Sequence, residues 1–93
     1  MPGGHFDYQQ SRIRDISDEI ERQIARNGEK NSYGDKTEFS SEAIKEFKTA
    51  VYQLRKAFIY AQRIDWFLSA DDSEADFHER LAEELRTLKR GSD

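Results

Sequence analysis

Cysteine is absent from this 93-residue chain, which excludes a disulfide framework and any thiolate metal site and points to an intracellular compartment. Proline occurs once, as Pro2, and no glycine falls between Gly34 and Gly91, so the long middle of the chain carries neither of the residues that break helices. No run approaches the roughly 18 apolar residues a membrane span needs. The opening Met1-Pro2-Gly3-Gly4-His5 lacks the basic region and apolar core of a secretory signal. A soluble, cytoplasmic protein without a membrane partner is expected. There is also no glycine-rich phosphate loop, no serine in an elbow motif and no cysteine nucleophile, and the chain does not read as an enzyme.

Apolar residues make up 35% of the sequence and charged residues 37%, yet six Phe, four Tyr and one Trp are present. So many aromatics place the chain outside the disordered class. A domain of this size buries only about 60 to 65% of the surface its unfolded chain exposes, and long exposed helices suit such a mixture. The net charge of -4 is unevenly spread. Between residues 42 and 63 five cations face two carboxylates, whereas between residues 65 and 84 eight carboxylates face Arg80 alone. A continuous basic face is missing, so duplex DNA is not an expected partner.

Ile13, Ile16, Ile20 and Ile24 recur at steps of three and four and share one face of a helix expected over about residues 7–26. Asn27-Gly28 ends it, Gly28 being suited to the left-handed C′ position. Residues 28–38 are polar and read as a mobile loop with Tyr33 its large apolar residue. Ser40 is a good N-cap for a helix over residues 41–68, with Glu42 complementing its dipole and Phe39 and Ile44 at the staple positions. Along it Ile44, Phe47, Val51, Leu54, Phe58 and Ala61 alternate steps of three and four. A line of Ala43, Ala50, Ala57 and Ile64 allows close approach of another helix, and Tyr52, Ile59 and Trp66 form a third line. The second half of this helix is apolar on nearly every side, more than one neighbour needs. A third helix over residues 73–89 presents Phe77, Leu81, Leu85 and Leu88, after a joint in which Asp71 and Glu74 have capping-box spacing and Asp72 or Ser73 are alternative caps. The expected fold is a single all-α domain. The long central helix forms an antiparallel hairpin with the C-terminal helix, the N-terminal helix packs alongside, and a homo-oligomer, dimer or larger, buries the surplus apolar surface.

Several residues are candidates for chemistry. Arg55, Lys56 and Arg63, interleaved with Tyr52 and Tyr60, suit either a protein interface rich in aromatics and arginine or phosphates with a stacked base. Asp65 falls one heptad after Phe58, where an apolar residue is expected; if buried it needs a partner. A polar network of Asp65 with Trp66, His78, Arg80 or a neighbouring subunit's Arg63 is the expected answer. His5 with Asp7, and His78 among Asp71, Asp72, Glu74, Asp76 and Glu79, lack the ligand number or loop of a zinc or calcium site. No metal or cofactor is expected.

The segment Gly3-Gly4-His5-Phe6-Asp7-Tyr8, the run from Tyr60 to Ser69, and Asp71-Asp72 with Phe77-His78-Glu79-Arg80-Leu81 resemble a group of short bacterial and prophage-associated helical proteins with no assigned activity. The resemblance covers most of the chain outside residues 28–38. It implies a glycine at the positions of Ala70 and Ser73, from which this sequence departs. Small proteins of mobile elements commonly act by occupancy. The leading expectation is therefore a non-enzymatic interaction protein, phage-derived and an anti-defence candidate, that binds and modulates or blocks a host protein. The alternative is an oligomeric sponge holding a small anionic nucleotide at subunit interfaces.

Overall fold

The computed structural model describes residues 4–29, 38–70 and 72–92. Three helices form: α1 (Ser11–Ala25), α2 (Ser41–Leu68) and α3 (Glu74–Ser92). The fold is all-α, and α2 packs against both α1 and α3. Each neighbour runs antiparallel to α2. Gln10 meets Gln62 while Glu21 meets Arg55, and Phe77 stacks on Phe67 at 4.9 Å while Glu84 faces Arg63.

The ends of the helices follow from local chemistry. Ser40 takes an extended ψ of 161° and its hydroxyl accepts from the Ala43 amide at 3.1 Å. Phe39 turns its ring onto Phe47, with centroids 5.1 Å apart, and its amide donates to Asn27 at 2.7 Å, tying the end of α1 to the start of α2. Gly28 adopts the left-handed φ of 88°. At the second joint Ser73 is the cap, accepting from the Asp76 amide at 3.1 Å; Asp71 and most of the expected loop, with Tyr33, lie outside the described residues. α1 starts at Ser11, four residues later than the spacing predicts. Residues 5–10 instead coil as successive turns, with Asp7 and Tyr8 both left-handed at φ 56° and 60°, a conformation a regular helix does not contain.

α1 and α3 do not touch each other among the described residues. The molecule is elongated, measuring 53 × 28 × 14 Å. With α1 and α3 each packed on α2 and not on each other, the helices form an open layer and not a closed bundle. Val51, 8% exposed, is the one large apolar residue that is buried among those described, whereas Gln10, Ser17, Arg63, Asp65 and Asp72 are all buried. The contact of α1 with α2 includes Gln10, Arg14, Ser17, Glu21 and Ile24, in steps of four and three: Ser17 is fully buried, its hydroxyl satisfied by the Arg14 carbonyl at 2.7 Å, and the Arg14 guanidinium lies 5.3 Å from the Phe58 ring centre. A serine at the closest point lets the two backbones approach. Ile16 is pushed to one side and left 54% exposed.

Ala70, in the joint between α2 and α3, holds φ 63°. An L-residue with a Cβ resists this conformation, by about 1 to 2 kcal/mol, and glycine does not. Ala70→Gly is expected to stabilise the fold by roughly 0.5 to 1 kcal/mol after the entropic cost of glycine, measured as a rise in the denaturant midpoint.

Candidate functional site

Two residues apart on α2, Asp65 and Arg63 leave the helix on opposite sides and organise two polar clusters. Asp65 is fully buried. Its Oδ2 accepts from the Gly4 amide at 3.0 Å and Gln10 Nε2 at 3.1 Å, and its Oδ1 accepts from the Phe6 amide at 3.0 Å. Gln10 Nε2 also donates to Gln62 at 2.8 Å. Burial pushes the Asp65 carboxyl up, but the amides of Phe6 and Gly4, Gln10 and the His5 amide outweigh it and hold the group below its ordinary value. The partners are therefore backbone amides of the N-terminal segment and Gln10, in place of Trp66, His78, Arg80 or a second subunit's Arg63.

Arg63, also buried, points toward α3. Its guanidinium carbon sits 3.9 Å from the Trp66 ring centre, its Nη1 is 3.5 Å from Asp72 Oδ2 and its Nε is 3.8 Å from Glu84 Oε2. Arg80 reaches the other Asp72 oxygen at 3.1 Å. Trp66 and Arg80 thus join Arg63 and Asp72, while His78 stands exposed on α3, 4.0 Å from Glu74 and apart from both clusters.

Because α1 and α3 flank α2 without meeting, a groove runs along the face of α2 between them. Its floor is Lys48, Tyr52, Arg55, Ile59, Gln62 and Trp66, whose steps of four and three keep one face for about 27 Å. Two cavities occupy it. One, of about 630 Å³, lies where the C-terminal ends of α1 and α3 reach the first half of α2 and is bordered by Lys45, Lys48, Tyr52, Arg55, Lys89 and Glu21. The other, of about 770 Å³, is bordered by Ile59, Arg63, Trp66, Arg80, Glu83 and Glu84. Arg55 is held by Glu21 and lies 3.9 Å from Asp18.

Of the residues singled out from sequence, Tyr52 and Arg55 line the first cavity and Arg63 borders the second as a buried, internally engaged cation; Lys56 and Tyr60 line neither. Sequence reasoning missed Lys45, Lys48 and Lys89. The first two continue the Tyr52 and Arg55 face at helical steps, a signal that was present; Lys89 arrives only through the antiparallel register of α3. Among the described residues no three His, Asp or Glu side chains gather as metal ligands, and no helix is long and apolar enough to cross a membrane. No protein family, curated protein or solved structure matches the chain.

Asp65→Asn keeps the shape but turns one oxygen into a donor facing donors. A cost of roughly 2 to 4 kcal/mol is expected, read from urea unfolding at pH 7.

Proposed function

We propose that this chain is a non-enzymatic interaction protein that works as a homo-oligomer and acts by occupying the surface of a second protein, a host protein whose activity it modulates or blocks. The observation that carries the reading is the lack of an interior. The accessible surface is 6872 Å², roughly 1300 Å² more than a compact monomer of 10.9 kDa exposes. The radius of gyration of 16.7 Å likewise exceeds the about 12 Å of a compact chain of this length. That surplus matches what each partner contributes to a substantial protein interface, about 800 Å² or more.

The covered side is the back of the layer. With Ser17 against α2, Asp18 projects to the groove side, where it meets Arg55, and Ile16 projects to the other side. On α2 the residues half a turn from the groove floor are Ala57, Ala61, Ile64 and Leu68. Ile16 is 54% and Leu68 51% exposed, and Ala57 is exposed between them. Exposed isoleucine and leucine beside small alanines give a flat apolar face that a second copy covers by close helix packing. The phage-derived, anti-defence role rests on the resemblance to prophage-associated proteins.

Wild-type protein is expected to sediment as a dimer or larger species at micromolar concentration, and Ile16→Glu with Leu68→Glu to convert it to a helical monomer of lower melting temperature. A wild type that stays monomeric at those concentrations contradicts self-assembly. For the second partner, the untagged assembly passed through bacterial lysate at low salt should retain one host protein in stoichiometric amount; an assembly that retains none contradicts the host-protein role.

A further inference from the structure

We propose that the cavity between the C-terminal ends of α1 and α3 binds a nucleotide carrying two or more phosphate charges. This goes beyond the interaction role and uses the opposite side of the layer. In a chain of net charge -4, four cations border this one cavity, namely Lys45, Lys48, Arg55 and Lys89, and among the described residues that line it Glu21 is the one carboxylate, with Asp18 also 3.9 Å from Arg55. Glu21 is already engaged by Arg55. Lys45, Lys48 and Lys89 make no ion pair among the described residues.

Such an arrangement is unfavourable when empty. Lys45 and Lys48 are like charges one helical turn apart, which destabilises a helix, and Lys89 joins them from a different helix. A polyanion would relieve the repulsion and use all three ammonium groups, each a compact donor suited to phosphate.

The remaining border selects the rest of the ligand. Tyr52 sits on the floor beside the buried Val51, with Ile24 also on the border, so an aromatic face and an aliphatic side chain are offered next to the charges. A base stacks on such a surface without requiring a particular edge pattern. The volume of about 630 Å³ falls in the range of roughly 300 to 1000 Å³ typical of small-ligand sites. A long polynucleotide is disfavoured, because the groove continues past Ile59 toward Glu83 and Glu84, which repel a phosphate backbone.

The test is calorimetric titration of the full chain at low salt with ATP, GTP, UTP and inorganic tripolyphosphate. Saturable binding of the nucleotides is expected, weakening as salt rises. Lys48→Glu with Lys89→Glu should weaken nucleotide binding tenfold or more. Arg12→Glu with Arg86→Glu, exposed substitutions of equal charge change outside the cavity, should change it less than twofold. Tyr52→Leu should weaken ATP severalfold while leaving tripolyphosphate unchanged. Absence of saturable binding by all four probes overturns the proposal, as does equal loss in the two charge-reversal variants, which would mark a diffuse electrostatic effect. ATP and tripolyphosphate binding alike, with Tyr52→Leu affecting neither, overturns the assignment to a nucleotide. Circular dichroism of each variant separates loss of binding from loss of fold, and the Ile16 and Leu68 variants, on the other side of the layer, report assembly independently.

Discussion

The architecture depends on two buried charges of opposite sign on one helix. Asp65 and Arg63 are both withdrawn from water, and an unpaired buried charge costs several kcal/mol. Each therefore has to be met, and they leave α2 on opposite sides. Asp65 is met by the Gly4 and Phe6 amides and by Gln10, which fixes the chain leading into α1. Arg63 is met by Asp72 and Glu84 and lies over Trp66, which fixes the chain leading into α3. One end of α2 thereby positions both neighbours, without those neighbours touching each other. The left-handed Asp7 and Tyr8 are consistent with this. Winding the chain so that amides two residues apart converge on one carboxylate demands conformations that non-glycine residues otherwise avoid.

A layer fixed by polar pins differs from a three-helix bundle in what it leaves open. A bundle would bury its apolar stripes in a shared interior. Here, among the described residues, each flanking helix packs only on α2, so one side of the layer becomes a groove with an aromatic and cationic floor and the other an apolar face. The same geometry thus supplies both features that the functional proposals use. The apolar face meets a need of the fold itself, since Val51 is the one apolar residue that is buried among those described. The cationic end of the groove meets no such need.

The helices were legible in the sequence because their signals are local. Ser40 as a cap, the start and end of α2, and the antiparallel joint before α3 all follow from residues within a few positions of one another. The start of α1 was not legible, since nothing within residues 5–10 announces that their amides are claimed by Asp65, some sixty positions away. On α1 the four isoleucines define the most apolar side, but Ile16 is left 54% exposed and the residue fully withdrawn from water is Ser17, where small size counts for more than hydrophobicity. Asp65 was recognisable as out of pattern and in need of a partner, and its partners were not. The cavity was half visible: Tyr52 and Arg55 were read as a binding strip, whereas Lys56 and Tyr60 face elsewhere and Lys89 is supplied by the fold.

The most direct test of this account is an NMR pH titration following the Asp65 side-chain carboxyl carbon together with the Gly4 and Phe6 amides. A carboxyl whose folded-state pKa is depressed contributes stability that is present above its unfolded value and lost as pH falls through the folded one. The account predicts that Asp65 titrates below the ordinary aspartate range of about 4, that both amide shifts move with it, and that the residues leading into α1 lose protection from exchange over the same interval. A carboxyl that titrates in the ordinary range, with amide shifts indifferent to it, would contradict the claim that this buried charge holds the N-terminal segment and α1 in place.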